Sequence, residues 1–289
     1  MAFDIRNTPL YAESWNVAFR HKPQGTILSD RKTPFAVIPN SLHYWAADPM
    51  VFTHEGRTYI FAELYDYTLC RGIIGVSEYR GNGSFGVWKP IIQEDFHMSY
   101  PYVFRTGEEI YMIPETTQKN ALLLYRAVEF PMRWELHKVI CENVCWADTT
   151  IIPDGDGFLG RTQACQNGRD LDLQIRLTRE LELQDRTERP DSDTRINRPG
   201  GRPFFHQGRW WWVSRDCREG YGKALFFRSD REEAHLLPQE LNYSHDFYLD
   251  GMHTYSATEE FEVIDLKTRR LNPLNLCTRL IAKFRRRRR

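Results

Sequence analysis

The chain has 289 residues, of which 41% are hydrophobic and 27% charged, so it can bury a sizeable core and is not disordered throughout. No apolar run approaches the ~18 residues of a membrane-spanning helix, and the first residues, MAFDIRNTPLYAESW, contain no apolar signal-peptide core. The formal net charge is zero. Six scattered cysteines complete neither a disulfide scaffold nor a zinc pattern. We therefore expect reduced thiols, a cytoplasmic location and no metal or other cofactor.

Two strand-like runs come first in the chain, SWNVAFR (14–20) and PFAVIP (34–39). Both are rich in the aromatic and β-branched residues that favour strands. They precede a long repeat and are not copies of it, so their place in the fold depends on what the repeat builds.

The repeat consists of a small or polar start, an apolar strand, a turn with glycine, and an aromatic strand that ends in charge. The first two copies are in tight register, because Tyr59 and Tyr111 are 52 residues apart. The copies begin near positions 48, 100, 148, 200 and 252. They read ADPMVFTHEGRTYIFAE (47–63), SYPYVFRTGEEIYMIPE (99–115), ADTTIIPDGDGFLGRTQ (147–163), GGRPFFHQGRWWWVSRD (200–216) and the shorter GMHTYSATEEFEVID (251–265).

Further strand-like runs follow these pairs, and about four strands per ~50 residues, repeated five times, predict an all-β fold, a five-bladed β-propeller. The fifth unit lacks its outer strands, so we expect the runs 14–20 and 34–39 to complete blade five and close the ring, which removes exposed sheet edges. The predicted domain covers residues 1–265. A β-sandwich with evenly spaced strands is the alternative, although in-register copies are not expected of a sandwich.

The first strand of each blade lines the central channel of a propeller, so residues at equivalent positions of the copies should converge there. Carboxylates from separate blades that face one pocket suit glycosyl chemistry, which needs a base and an acid. The candidates at the starts of the first strands are Asp48, Tyr100, Asp148 and His253, flanked on blade four by Arg198 and Arg202, and those at the ends of the second strands are Glu63, Glu115, Arg161, Arg215 and Asp216.

The motifs WAADPMVF, FAELYD, SYPYVF, MIPET, ADTTII, NRPGGRPFF, RDCREGYG and MHTY together resemble the N-terminal domain family of glucosamine inositolphosphorylceramide transferases. That family belongs with the five-bladed propellers of glycoside hydrolase family 43 and relatives, and the resemblance covers roughly residues 40–265. It implies that Asp48 is a general base and that Asp148 tunes the pKa of the acid. The acid of family 43 opens blade four, where this chain has NRPGGR (197–202) without a carboxylate, so Glu63 and Glu115 are the remaining candidates.

The arginines suggest a reason why that acid is absent. A phosphate leaves as a stable anion and needs positive charge rather than a proton, and guanidinium groups match phosphate oxygens. Arg161, Arg198 and Arg202 are therefore candidates for holding a phosphorylated or nucleotide sugar donor, with structural ion pairs as the alternative. The sequence favours glycosyl transfer to a glycan acceptor in surface polysaccharide or glycolipid assembly. A family 43-like glycosidase and a non-catalytic glycan-binding propeller stay open.

The C-terminal part of the chain, residues 266–289, differs in charge from the rest. It contains ten Lys or Arg and no acid, which leaves 29 basic and 39 acidic side chains in residues 1–265, a formal charge of −10. An acidic body excludes a uniformly basic nucleic-acid binder and implies a partner for the basic tail.

The tail is predicted to be an amphipathic helix that begins at Asn272 and Pro273. Such a helix with a polybasic end suits the surface of an anionic membrane, so we expect a peripheral location on its cytoplasmic face. A helix packed on the propeller and a nucleic-acid-binding tail are the alternatives. The residues expected to contact the membrane are Leu276, Leu280, Phe284 and Arg285.

Overall fold

The computed structural model describes residues 11–22, 25–189, 192–244 and 249–271. Apart from one short α-helix and brief 3-10 turns, its elements are strands. The first ten are β1 (Tyr11–His21), β2 (Ala36–Val37), β3 (Tyr44–His54), β4 (Arg57–Asp66), β5 (Arg71–Glu78), β6 (Lys89–Ile92), β7 (Ser99–Thr106), β8 (Glu109–Glu115), β9 (Ala121–Glu129) and β10 (Arg133–Glu142). The others are β11 (Trp146–Asp154), β12 (Gly157–Gln166), β13 (Arg169–Leu177), β14 (Leu183–Glu188), α1 (Thr194–Asn197), β15 (Phe204–His206), β16 (Arg209–Asp216), β17 (Ala224–Arg228), β18 (Glu233–Leu236), β19 (Leu249–Gly251), β20 (Tyr255–Ala257) and β21 (Phe261–Leu271).

The strands form five antiparallel sheets, which are the blades of the propeller. Blade one contains β3 to β6, blade two β7 to β10, blade three β11 to β14 and blade four β15 to β18. Blade five has the order β19-β21-β1-β2, and β20 also pairs with β21. The prediction of an all-β, five-bladed propeller closed by N-terminal strands is thus confirmed.

The last blade extends farther along the chain than the charge pattern indicated. β21 continues to Leu271 because its final residues pair with residues 11–16 of β1. Leu266 is buried, and the Lys267 ammonium lies 3.1 Å from the Glu13 carboxylate on β1. Residues 266–271 therefore belong to the propeller, and the boundary expected at Asp265 moves to Leu271.

The predicted C-terminal helix, with Leu276, Leu280, Phe284 and Arg285, falls outside the described residues and stays a prediction. Among the residues that the structure describes, no helix is long and apolar enough to cross a membrane.

A buried ion pair joins the N-terminal strand to the last strand. The Arg20 guanidinium of β1 binds the Glu262 carboxylate of β21 at 2.6 Å, and neither side chain is exposed. Arg20 also donates to the carbonyls of Asp30 and Thr33, while Glu262 accepts from the Ile27 N–H and the Tyr255 hydroxyl. Since every partner comes from the segments that close the ring, this pair secures the closure.

Apolar packing joins four of the five neighbouring blade pairs. One buried cluster spans blades one, two and three, a second spans blades four and five, and a third spans blades five and one. Within the described residues, no apolar cluster connects blade three to blade four. The junction between those two blades is therefore held by polar contacts.

We expect Arg20→Met to lower the free energy of unfolding by about 3–5 kcal/mol, because it leaves the Glu262 carboxylate buried without its cation. Urea unfolding measures the loss. Adding Glu262→Gln to this variant should recover part of it, since no unpaired charge then remains. Arg176→Met, which removes an exposed pair with Asp154, is the control and should change stability little. An equally small effect of Arg20→Met would contradict the role of the pair in closure.

Candidate functional site

One backbone irregularity recurs in the innermost strands of blades one, two and three. Asp48, Tyr100 and Asp148 have φ values of 52°, 46° and 57°. At each of them the pairing with the second strand shifts, as in a β-bulge. A left-handed backbone is unfavourable for residues other than glycine and is retained where the surrounding structure enforces it. The bulges redirect these three side chains from the strand alternation toward the other blades.

Arg215 of β16 connects the two redirected aspartates. Its Nη2 lies 3.0 Å from Asp48 Oδ1 and 3.0 Å from Asp148 Oδ2, and the side chain is fully buried. Its Nη1 donates to the Tyr221 hydroxyl at 2.5 Å, and its guanidinium carbon lies 5.6 Å from the centre of the Tyr100 ring. One guanidinium thus holds residues of blades one, two, three and four together.

Arg198, the residue after helix α1, is a second cation for Asp148. Its Nε donates to Asp148 Oδ2 at 2.5 Å, and its side chain is 25% exposed, whereas that of Arg215 is not exposed. Although burial favours the neutral acid, Arg198 and Arg215 hold the pKa of Asp148 below its ordinary value. Arg198 is therefore the arginine of this cluster that a ligand can reach.

Tyr100 closes the channel beneath the aspartates. Its hydroxyl lies 2.7 Å from Thr150 Oγ1 of blade three and accepts a hydrogen bond from the Gly201 N–H at 2.7 Å. Burial raises the pKa of this hydroxyl, so the group stays neutral. The candidate site is consequently a cluster of largely buried polar side chains beside Tyr100 rather than an open pore, and we call this cluster the cup.

His253 and Asp265 form the blade-five wall of the cup. His253 Nδ1 lies 2.6 Å from Asp265 Oδ2 and 3.7 Å from Asp48 Oδ1, and its ring stacks on Trp15 with the ring centres 3.8 Å apart. The Asp265 carboxylate also accepts from the backbone N–H groups of Asp48, His253 and Thr254. This wall is therefore a satisfied hydrogen-bond network.

The same wall is the candidate metal centre of the described residues. Asp48, His253 and Asp265 place ligand atoms within 4.8 Å of one another. However, three N–H donors and His253 already engage Asp265, and Asp48 Oδ1 binds Arg215. A cation placed there would face the Arg215 charge at close range, so these residues fit an ion-pair network better than a metal centre.

Glu63 and Glu115, from the second strands of blades one and two, meet at His97. The His97 Nε2 lies 3.6 Å from Glu63 Oε1 and 4.0 Å from Glu115 Oε2. Because His97 Nδ1 accepts from the Gly72 N–H at 2.9 Å, the hydrogen of the neutral ring is on Nε2 and points toward the two carboxyls. The Glu115 carboxylate also accepts from the Ser99 hydroxyl and the Thr117 N–H.

Glu63 is a buried acid whose pKa is shifted in the opposite direction to that of Asp148. Its burial, followed by the negative charges of Asp48 and Glu115, raises its pKa well above the ordinary value of 4.5, and Arg215 offsets this only in part. A buried carboxyl with a raised pKa therefore lies close to an aspartate pair that is bound by arginine, an arrangement typical of acid–base pairs.

Three predicted residues lie outside this cluster. The Arg161 guanidinium stacks on Trp212 of blade four at 4.2 Å. Arg202 donates to the Val103 carbonyl and lies over the Tyr102 ring, below the Tyr100 plug. Asp216 binds Arg218 and His235 on blade four. Asp216 directly follows Arg215 on β16, so strand alternation turns its side chain away from the cup. Arg161 and Arg202 lie two residues along the chain from the repeat positions that face the cup.

Three residues of the cup carry no role in the sequence-based prediction, although each had a signal. Tyr221 lies within the RDCREGYG motif, His97 precedes the second repeat copy, and Asp265 ends the fifth copy. Their contacts join segments that are distant in sequence, so the repeat register alone did not connect them to the site.

A model of the family described as "Glucosamine inositolphosphorylceramide transferase 1, N-terminal" matches residues 36–231. Curated relatives named glucosamine inositolphosphorylceramide transferase 1, from Arabidopsis thaliana and Oryza sativa subsp. indica, are each 30% identical to the chain. The alignments cover 62% and 63% of this chain but 24% and 25% of the relatives, so the chain spans about a quarter of their length. The resemblance read from the motifs is confirmed.

Solved structures of similar fold include glycoside hydrolases. A family 62 α-L-arabinofuranosidase from Coprinopsis cinerea superposes with a TM-score of 0.59 at 11% identity, over 87% of this chain and 98% of that one. An α-L-arabinofuranosidase from Podospora anserina gives 0.57 at 10% identity, over 84% and 96%. A family 43 β-xylosidase/α-arabinofuranosidase from a compost metagenome gives 0.56 at 9% identity, over 81% and 92%. At these identities the likeness concerns the fold alone.

We expect Glu63→Gln to stabilise the protein increasingly as the pH rises. A carboxyl whose folded-state pKa is raised contributes stability below its ordinary pKa of 4.5 and loses that contribution as the pH rises through the folded-state pKa. The difference in unfolding free energy between the variant and the wild type should therefore grow by up to about 1.4 kcal/mol per pH unit in that window. Urea unfolding from about pH 5 to pH 9 measures it. Glu135→Gln, at an exposed position of β10, is the control. A difference for Glu63→Gln that does not change with pH would show that Glu63 ionises like an exposed acid.

Proposed function

The chain belongs to the family of the N-terminal domain of glucosamine inositolphosphorylceramide transferase 1, and from the geometry of its cup we propose that it binds a glycan there and catalyses glycosyl transfer to water or to a second sugar. Glu63 acts as proton donor and Asp48 as general base. The observation that carries this proposal is the meeting of a buried Glu63 of raised pKa with an arginine-bound aspartate pair in the cup.

Glu63 supplies the proton that a sugar leaving group requires. A glycosidic oxygen that departs as an alkoxide needs a general acid, and its raised pKa lets Glu63 hold a proton to a higher pH than an ordinary glutamate does. The His97 N–H, directed at Glu63 and Glu115, orients the acid. The acid thus comes from the second strand of blade one instead of the first strand of blade four.

Asp48 retains an oxygen for the attacking nucleophile. Arg215 and the Thr254 hydroxyl both bind Oδ1, at 3.0 and 2.7 Å, and no hydrogen bond among the described residues involves Oδ2. Arg215 fixes the carboxylate, and Oδ2 accepts the proton of water or of a sugar hydroxyl. Asp148 binds the same guanidinium and thereby positions Asp48. The negative charge of Asp148 also offsets part of the Arg215 charge that acts on Asp48.

A second candidate is transfer from a phosphate-activated sugar, and the accessible Arg198 favours it. Its guanidinium is next to Asp148 and a quarter exposed, so it can meet a phosphate at the rim. Fewer arginines are available to a phosphate than the sequence suggested. Arg161 and Arg202 lie outside the cup, and Arg215 is bound by two carboxylates. The acidic side chains of the cup would also repel a diphosphate.

For the C-terminal tail we propose attachment to the anionic, cytoplasmic surface of a membrane, where a glycolipid or polysaccharide acceptor is available. The support is the sequence pattern of an apolar stripe followed by five arginines from Arg285 to Arg289.

The first test separates acid catalysis from phosphate-donor chemistry. Disaccharides need a protonated leaving group, whereas 4-nitrophenyl glycosides of the same sugars release a stable anion. Glu63→Gln should lower kcat on disaccharides by about 10²–10⁴-fold and leave the nitrophenyl glycosides much less affected, while Asp48→Asn should reduce both. Asp154→Asn, at an exposed ion pair on blade three, is the matched control.

Three results would overturn or redirect the proposal. Equal losses on both substrate types for Glu63→Gln would remove it as the acid. Activity confined to nucleotide sugars, abolished by Arg198→Gln and retained in Glu63→Gln, would favour the phosphate-donor candidate. Glycan binding without turnover in the wild type would leave a non-catalytic binding propeller.

We expect deletion of residues 272–289 to release the protein from vesicles of phosphatidylserine and phosphatidylcholine. The remaining chain has 32 basic and 39 acidic side chains, a formal charge of −7, so an anionic surface repels it. Co-flotation measures binding, which should weaken with salt because charge interactions are screened. Leu280→Glu with Phe284→Glu should also reduce binding although every arginine remains. Flotation of the truncated protein, or none of the full chain, would contradict a membrane role of the tail.

A further inference from the structure

The junction of blades three and four differs from the other four junctions because its facing surfaces are polar. On β12 and β13 of blade three, Arg161 and Asp172 lie on the face toward blade four. On β16 and β17, Trp212 and Arg228 are Cα partners on the opposing face, while Trp211 packs into the apolar cluster with blade five. We call the surface formed by Arg161, Asp172, Arg189, Trp212 and Arg228 the blade seam.

Arg161 is the unusual member of the blade seam. Its guanidinium lies 4.2 Å above the Trp212 ring, a cation–π contact. No hydrogen bond or ion pair among the described residues involves Arg161, although a guanidinium has five N–H donors. The side chain is half-buried, so its donors are only partly served by water.

The other charges of the blade seam are already paired. Arg189 binds the buried Asp172 carboxylate at 2.7 Å. Arg228 binds Glu233 at 2.5 Å and donates to the Asn197 side chain at 2.7 Å. Among the described residues, three arginines thus face two carboxylates, and Arg161 is the arginine without a hydrogen-bonded carboxylate, although the Asp172 charge attracts it. Its burial, together with the charge of Arg189, lowers the pKa of Arg161 to about 10.

The blade seam adjoins the cup. Arg161 is the Cα partner of Thr150, which follows Asp148 by two residues on the same inner strand. Helix α1 covers both sites, since Asn197 at its end bonds Arg228 of the seam and the next residue, Arg198, bonds Asp148 of the cup. The two sites are therefore linked by the inner strand of blade three and by the end of α1.

We propose that the blade seam is an oxyanion-binding site, in which Arg161 binds a phosphate, sulfate or carboxylate group through its unused N–H donors. The planar fork of a guanidinium matches two oxygens of such a group, and stacking on Trp212 holds the fork in place. The anion neutralises the charge of Arg161. This proposal goes beyond the catalytic proposal, because it concerns binding at residues that take no part in the acid–base chemistry.

Trp212 reports directly on this site. The indole N–H resonance of Trp212 is assigned by NMR as the one that Trp212→Phe removes. This resonance is then followed while the full chain is titrated at constant ionic strength. The probes are inorganic phosphate, glucose 1-phosphate and glucose, with chloride as the reference anion. We expect a saturable shift of the resonance with both phosphates and no shift with glucose. Glucose 1-phosphate should bind more tightly than inorganic phosphate if the anion is carried by a sugar that also contacts the cup. Equal affinity for the two phosphates would indicate a site for a free anion.

Variants of Arg161 decide the outcome. Arg161→Gln should weaken phosphate binding by at least about tenfold, as expected for the loss of charge-assisted hydrogen bonds. Arg161→Lys, which keeps the charge without the fork, should bind with intermediate affinity. Arg209→Gln, on blade four in an exposed pair with Glu232, should bind like the wild type. The proposal is overturned if the resonance shifts linearly with concentration, if chloride shifts it equally, or if Arg161→Gln binds as well as the wild type. Repeating the titration with Glu63→Gln keeps this result separate from the catalytic proposal, because that variant should bind phosphate normally.

Discussion

The buried bridge from Asp48 through Arg215 to Asp148 is the interaction on which the rest of the site depends. Removing two carboxylates and a guanidinium from water costs several kcal/mol per ion, and only close pairing offsets that cost. Arg215 forms its ion pairs when blades one, three and four are in register, because its partners come from all three. The bridge therefore ties the geometry of the cup to the assembly of the ring. It also explains how two aspartates tolerate left-handed backbone conformations.

The same bridge sets the electrostatics of the cup. Arg215 and Arg198 hold the Asp148 carboxyl ionised, and the negative charge that remains around Glu63 favours its protonated form. Acids in one small site whose pKa values are shifted in opposite directions are typical of general acid and base pairs. The pKa values of the Glu63 and Asp148 side chains are thus shifted in opposite directions by the charges and the burial around each group.

Close packing explains why blade four carries no acid at its first strand. A Cβ on Gly201 would come within 1.8 Å of the Tyr255 carbonyl oxygen, and one on Gly200 within 3.0 Å of the His253 carbonyl oxygen. The Gly201 backbone also bonds the Tyr100 hydroxyl that plugs the channel. A glutamate cannot occupy these positions without displacing blade five, so the acid function, if the cup is catalytic, has to come from another blade. Blade four contributes arginines on both sides of these glycines, Arg198 to the cup and Arg202 below the plug.

The sequence by itself determined the number of blades, the closure by N-terminal strands and the convergence of Asp48, Tyr100, Asp148 and His253, because each follows from repeat register and strand period. It also indicated Glu63 and Glu115 as the available acids, through their matched places in two copies. Tertiary structure alone decided that Arg215 is a buried bridge rather than a ligand contact, that Arg161 lies in the blade seam, and that His97 joins the two glutamates. Those outcomes depend on which face of a blade a side chain occupies and on charges brought together from distant segments. Register fixes where a residue lies along a blade, whereas burial and neighbouring charge, which set its chemistry, exist only after the ring has closed.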